Sequence, residues 1–184
     1  MHCPFFESNQ CRSCSWLDQP YHQQLQHKER QLNALLAPFA PPPLLASVSA
    51  ELSGFRDKAK MVVLGNAAAP KLGIINHRNQ LISLCECPLY PDDMQTLLVN
   101  LERWLGDLAI APYHIKSRQG ELKYLLLNRN NDGQYMLRLV LRSTAQIAKI
   151  SQALPNFLAQ HSQINSVSAN MFVGPFDDGR GHWL

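Results

Sequence analysis

The sequence predicts an α+β fold, in which a cysteine-rich N-terminal segment and helix precede a largely antiparallel sheet with two helices. Three observations carry this. Short apolar runs bounded by turn residues recur after residue 54, the mark of strands. Three longer stretches space their apolar residues by three and four, the mark of amphipathic helices. Strands come first and then mix with helices and hairpins, an order that favours antiparallel pairing.

Residues 1–20 read as a compact loop segment bearing three cysteines. A helix is expected over 21–37, with Leu25, Leu32, Leu35, Leu36 and Phe39 on one apolar stripe and Gln23, Gln26, Lys28, Glu29 and Arg30 on the wet face. Pro38 and the run Pro41-Pro42-Pro43 stop it and make a stiff connection, so a boundary is placed near residue 45. Phe55 to Leu64 reads as a strand, 71–75 as its hairpin partner and 81–84 as a third short strand. A second helix spans 91–105. Pro91 suits its first position, Asp92 and Asp93 complement its dipole, Met94, Leu97, Leu98, Leu101, Trp104 and Leu105 form its buried stripe, and Gly106 stands where a left-handed cap belongs. Strands at 122–127 and 135–141 are joined by Asn130-Asn-Asp-Gly133, strong hairpin chemistry. Leu137, Leu139 and Leu141 point one way, Arg138 and Arg142 the other. A third helix starts at Ser143 or Thr144 and carries Ile147, Ile150 and Leu154 inward, with Pro155 kinking or ending it. A last strand covers 164–170.

The chain has 184 residues, 46% of them hydrophobic and 17% charged, which suffices for one globular domain with an appended element and argues against wholesale disorder. A net charge of +3 and a pI of about 8.6 permit nucleic-acid binding without arguing for it. No apolar run approaches the ~20 residues that cross a bilayer, and the N-terminus has no signal-peptide pattern, so a cytoplasmic location with reduced thiols and no membrane partner is expected.

Five cysteines in a reducing compartment favour metal or catalysis over disulfides. Cys11 and Cys14 form C-x-x-C, seven residues separate Cys3 from Cys11, and Cys87 stands far downstream before Pro88. A C-x-x-C turn presents two thiolates to one centre, and a remote ligand ties another segment to it. Iron–sulfur clusters take four thiolates and accommodate a final Cys-Pro. Zinc also takes four, more often from two short pairs. Spacing alone leaves iron–sulfur, zinc and free thiols open. Cys85 competes with Cys87 as a ligand, but reads better as a buried thiol.

Arg56, Lys58 and Lys60 alternate, so on a strand all three would face one side and could meet successive phosphates. A merely solvated strand face is the competing reading. Arg138, Arg142, Lys116 and Arg118 could extend that surface, and Trp16, Tyr113 and Tyr124 could stack bases, although core packing is the simpler role for the aromatics. The seven histidines are scattered. His22 and His27 are five apart rather than the four that would align them for a metal, and Asp177-Asp-Gly-Arg-Gly181 is too short for a calcium loop.

Several ordered segments carry a resemblance. Met1-His-Cys-Pro4, Cys11-Arg-Ser-Cys14, Gly54 to Met61, Cys87-Pro-Leu-Tyr-Pro91, Gly120 to Tyr124 and Met136 to Ser143 together resemble the bacterial RNA uracil methyltransferases that carry a 4Fe–4S cluster. Within them the likeness is to the short subgroup that methylates carbon-5 of a uridine in 23S ribosomal RNA. It covers roughly residues 1–170. The resemblance implies that Cys3, Cys11, Cys14 and Cys87 are the cluster ligands and that Cys85 is not. It implies 23S ribosomal RNA as partner and a central α+β RNA-recognition domain over 46–170 that supplies Cys87. Longer members begin with an added β-barrel, which this chain lacks.

Family members continue into a Rossmann-like domain that binds S-adenosylmethionine and holds an Asn-Pro-Pro segment, a nucleophilic Cys in Ser-Cys-Asn and a Glu base. No such motifs occur in these 184 residues, and 171–184 matches nothing in the family pattern. Carbon-5 of uracil becomes nucleophilic only after a thiolate adds to carbon-6, and a base must then remove the carbon-5 proton. No catalytic residue is therefore assigned. The chain is expected to be inactive alone, with a separate methyltransferase-domain chain as a candidate partner. The competing readings are a small zinc-binding interaction module and a remnant of a broken gene.

Overall fold

The computed structural model describes residues 1–172. Four helices, α1 (Pro4–Glu7), α2 (Tyr21–Leu36), α3 (Asp92–Asp107) and α4 (Ile147–Gln160), accompany six strands, β1 (Lys58–Gly65), β2 (Pro70–Ile75), β3 (Leu81–Ser83), β4 (Leu122–Arg129), β5 (Tyr135–Leu141) and β6 (Ile164–Met171). The strands form one sheet in the order β3-β2-β1-β4-β5-β6. All neighbours are antiparallel except β5 and β6, which run parallel because α4 carries the chain back between them. The expected α+β class, with a largely antiparallel sheet, is the one observed.

One face of the sheet is buried. Ala59, Met61 and Val63 of β1, Leu125 and Leu127 of β4, and Leu137, Leu139 and Leu141 of β5 meet α3 and α4 in a single core. The α3 stripe of Met94, Leu97, Leu98, Leu101, Trp104 and Leu105 is buried throughout, and Trp104 stacks on Phe157 of α4 at 4.7 Å between ring centroids. Glu102, on the flank of α3, ties the sheet to the helix. Its carboxylate accepts from the Leu72 amide at 2.8 Å and the Ser83 hydroxyl at 3.0 Å.

Several boundaries differ from expectation. Pro91 is the N-cap of α3 rather than its first residue, and Gly106 lies inside the helix. A Cβ on Gly106 would come 3.1 Å from the Ala68 carbonyl oxygen, so close approach of the β1–β2 turn, not a left-handed cap, requires glycine there. The left-handed residue is Ala109, at φ 47°. The third helix begins at Ile147, because Ser143 is engaged by Glu121: its amide and hydroxyl donate to that carboxylate at 3.0 and 2.8 Å. Pro155 lies within α4 without ending it. β6 reaches Met171, and the Phe172 carbonyl accepts from Lys123, so the first residues of the expected tail join the sheet. The remainder of that tail, with His182 and Asp177–Gly181, lies outside the described residues.

The expected strand over 55–64 begins only at Lys58. Gly54 turns left-handed at φ 66°, and the next residues are drawn to another loop: the Gly54 amide donates to the Pro88 carbonyl at 3.0 Å and the Arg56 amide to the Leu89 carbonyl at 2.8 Å. Arg56 is therefore not on the strand. The α2 stripe also departs from the usual fate of such stripes, since no α2 residue is buried and Leu32 and Leu35 are exposed. Among residues 1–57, Cys3 alone is buried.

Candidate metal centre and open strand face

Cys3 is placed by the first turn of chain. Pro4 opens α1, and the Cys3 carbonyl accepts from the amides of Phe6 and Glu7 at 3.1 and 3.0 Å. Asn9 takes a left-handed φ of 58°, which reverses the chain. The Gln10 and Cys11 amides then both reach the Phe5 carbonyl at 2.9 Å, returning Cys11 toward Cys3. Arg12 braces this turn, with Nε 2.6 Å from Asn9 Oδ1 and its guanidinium 4.1 Å from the Phe6 ring centroid. The Cys14 carbonyl accepts from the Leu17 amide at 3.1 Å. Cys87 comes from the loop after β3, fixed by its amide on the Leu84 carbonyl at 3.1 Å and its carbonyl on the Tyr90 amide at 3.0 Å.

The charges of Cys3, Cys11 and Cys14 bear on Cys87. Burial pushes the Cys87 thiol up; the charges of Cys3, Cys14 and Cys11 push it further, against a backbone hydrogen bond from Leu89. Burial also raises Cys14, helped by Cys11 and Cys3 and opposed by the Arg56 guanidinium. Such mutual repulsion is what a cationic centre relieves when thiolates bind it. Among the described residues, no three or more His, Cys, Asp or Glu side chains are grouped to hold a metal ion.

Cys85 stands apart from the four. It is buried, its Sγ lies 3.5 Å from Glu102 Oε2, and burial with the adjacent carboxylate pushes its thiol up to about 12. Arg56, expected on the strand, instead places its amide on the Leu89 carbonyl at 2.8 Å, and its charge bears on Tyr90 beside Cys87. Sequence reasoning missed this role. The available signal was the pair Gly54 and Pro88, a permissive residue and a rigid one at the ends of two segments that meet.

Lys58 and Lys60 do share a face of β1, the one turned away from α3 and α4. Register extends them into rows across the sheet, Lys60–Leu126–Arg138–Ser168 and Lys58–Asn128–Met136–Ser166. The Lys60 ammonium is 5.0 Å from the Tyr124 ring, and partial burial and then Lys58 hold it below its ordinary value. Arg138 Nε donates to Ser168 Oγ at 3.1 Å. Arg142 does not extend this surface, because it binds Glu121 at 2.9 Å and the Arg118 carbonyl at 3.0 Å. Tyr113 packs over the Lys123 ammonium at 4.3 Å, and Trp16 meets His27 edge-on at 5.0 Å.

In fold, the chain is similar to a tRNA (uracil-54, C5)-methyltransferase of Pyrococcus abyssi solved with S-adenosyl-L-homocysteine, with a TM-score of 0.62 at 15% identity, over 88% of this chain and 37% of that one. At that identity the likeness is one of fold alone. No protein-family model matches the chain. Its sequence is homologous to the 23S rRNA (uracil(747)-C(5))-methyltransferases RlmC: it is 50% identical to that of Shewanella oneidensis over 173 residues, 92% of this chain and 45% of the relative. Against that of Vibrio cholerae the identity is 46% over 172 residues, 93% of this chain and 46% of the relative. The chain thus spans about half the length of the curated relatives it matches, consistent with an N-terminal half. No helix among the described residues is long and apolar enough to cross a membrane.

Proposed function

We propose that this chain is the cluster-bearing, RNA-contacting part of an S-adenosylmethionine-dependent methyltransferase that forms 5-methyluridine in 23S ribosomal RNA. The observation that carries it is the match of 92% of this chain to about half the length of the RlmC relatives, and the influence of the Cys3, Cys11 and Cys14 charges on Cys87 supports the ligand set. These four thiols fit a 4Fe–4S cluster: each is a soft ligand, a Cys-x-x-Cys turn supplies two, and Cys87 precedes proline. Arg56 beside Cys14 would offset the negative charge of a cluster with four thiolates.

The cluster would be structural. Residues 1–57 bury one side chain and have little core to hold them, so a four-point link through Cys87 is what fastens them to the sheet. Methyl transfer needs no electron from it. Lys58, Lys60 and Arg138 would meet phosphates on the open strand face, beside Tyr124 as a stacking surface. Residues 1–45 and 46–170 act as two units under this reading. Under this reading the methyl-donor site and the catalytic Cys and Glu belong to the part of the relatives that these residues do not match, and these residues by themselves are expected not to methylate RNA.

Anaerobic purification followed by iron, sulfide and zinc determination tests the centre. About four irons and four sulfides per chain with visible absorption are expected. One zinc and no colour would replace the reading with a zinc-binding interaction module. Incubation of the chain alone with ribosomal RNA and labelled methyl donor should give no incorporation, and robust labelling would refute the assignment of roles.

A further inference from the structure

The Glu102 carboxylate of α3 gathers donors from β2, β3 and the loop after β3. Its Oε2 accepts from the Leu72 amide at 2.8 Å, the Ser83 hydroxyl at 3.0 Å and the Cys85 thiol at 3.5 Å, and its Oε1 pairs with the Lys71 ammonium at 2.9 Å. A carboxylate has room for several donors, and hydrogen bonds to a charged acceptor are the stronger kind. The Leu72 carbonyl works from the strand: it accepts from the Leu84 amide at 2.9 Å, and Cys85 Sγ lies 3.9 Å from it. Ser83, Leu84 and Cys85 are thus each held, two by Glu102 and one by the residue whose amide Glu102 also binds. Cys87 builds directly on this stretch, resting its amide on the Leu84 carbonyl at 3.1 Å. Both feet of its loop are buried, Cys85 on one side and Leu89 with Tyr90 on the other. The remaining proposed ligands lack such support, since Cys3 alone is buried among residues 1–57.

We propose that Glu102 is a positioning residue for the cysteine centre: with Cys85 as one of its donors, it holds residues 83–85 so that Cys87 is presented as a ligand before the N-terminal thiols close on it. This rests on reading Cys3, Cys11, Cys14 and Cys87 as ligands of one centre. It also gives Cys85 a part of its own. The Cys85 thiol turns to the carboxylate and the Leu72 carbonyl, and so serves the loop from behind instead of competing with Cys87. The physical gain is preorganisation. A ligand already fixed by its supporting hydrogen bonds loses less freedom when the centre forms, and one on a loose loop is released more readily. The centre would then have one firm wall, built by Glu102 on the sheet, and one wall that orders upon it. A carboxylate that only braced β2 and β3 would weaken the fold as a whole when removed, whereas a positioning residue acts first at the Cys87 loop.

The test compares full chains under anaerobic conditions: wild type, Glu102→Leu, Glu102→Gln and Leu125→Ala. Glu102→Leu removes the acceptor, Glu102→Gln keeps an amide oxygen for the Oε2 donors, and Leu125→Ala weakens the core at a fully buried position of β4. Transfer of iron to a chelator should be about tenfold faster from Glu102→Leu, as the loss of hydrogen bonds to a charged group implies. Glu102→Gln should restore most of the retention, and Leu125→Ala should release iron at the wild-type rate. In the metal-free chains, hydrogen exchange at the Leu84 and Cys87 amides, taken relative to β5, should rise in Glu102→Leu and not in Leu125→Ala. Equal iron release by Glu102→Leu and Leu125→Ala, or unchanged exchange at those two amides, would overturn the proposal. Should Glu102→Leu not fold, Cys85→Ala deletes one donor and should raise exchange at the same amides; no rise would overturn the proposal equally. A wild-type chain that takes up no iron would count against the cluster, and exchange at Leu84 and Cys87 would then decide the positioning role by itself.

Discussion

Replacing Cys87 by serine removes the one proposed ligand that belongs to the sheet. Cys14 and Cys87 are 73 positions apart (87 − 14), so a link between them closes a loop of that length. Treated as a covalent cross-link, such a closure contributes about 4 kcal/mol through the entropy of the unlinked chain. The backbone hydrogen bonds that also join the two regions, Gly54 to Pro88 and Arg56 to Leu89, contribute roughly 0.5–1.5 kcal/mol each. The proposed cluster would thus be the larger tie, and the serine variant should release residues 3–20 and 50–57 while the sheet keeps its own core. Hydrogen exchange read by mass spectrometry would compare wild type and variant under anaerobic conditions. Amides of the N-terminal segment should lose most of their protection, and those of β4 and β5 should change little. A variant that loses its iron and yet protects the N-terminal segment as well as wild type does would refute the argument that the centre fastens it.

Other consequences concern the core, the charges and the open face. Leu101→Ala, at a fully buried position of α3, should cost about 3 kcal/mol in denaturant unfolding with no change in iron content. Asp93 is pushed up by burial, but the Tyr135 hydroxyl at 2.8 Å and Arg129 at 3.0 Å outweigh this and hold it below the usual carboxylate range. Its contribution is therefore present above the unfolded value of about 3.9 and is lost as pH falls through the lower folded value. Because the side chain is 48% exposed, Asp93→Asn should cost less than ~1 kcal/mol at pH 7, and the gap should close in urea unfolding as the pH falls below the ordinary carboxylate range. Lys60→Glu should weaken binding to ribosomal RNA fragments and lower the salt dependence by about one unit, whereas Lys116→Glu should do neither.

The sheet was legible because its buried face is written in strict alternation. Leu137, Leu139 and Leu141 against Arg138 could face only one way, and Asn130 to Gly133 fixed the turn between β4 and β5. The α3 stripe was legible for the same reason at helical period. What stayed hidden were contacts between distant segments. No local pattern shows that Arg56 leaves the strand for the Tyr90 loop, or that Ser143 serves Glu121 instead of capping a helix. Lys123 is the clearest case. It occupies a register slip between Leu122 and Tyr124 and is buried, with Nζ 2.6 Å from the Phe172 carbonyl, a partner 49 residues away. Spacing and the resemblance single out Cys3, Cys11, Cys14 and Cys87 as a candidate set, which a metal determination tests. That α2 would carry its stripe uncovered was not, because periodicity reports that a face is apolar and says nothing of what covers it.

The sheet ends matter for how the chain keeps company with itself. Among the described residues, β3 closes one edge with only three residues, and at the other β6 mixes Asn165, Ser166, Ser168 and Asn170 with Ile164, Val167, Ala169 and Met171. Neither is a template for adding further strands, since one is too short and the other too polar to stack into a dry zipper. Copies that collide during synthesis or storage therefore find no ready route to cross-β fibres, even though Leu32 and Leu35 of α2 are exposed.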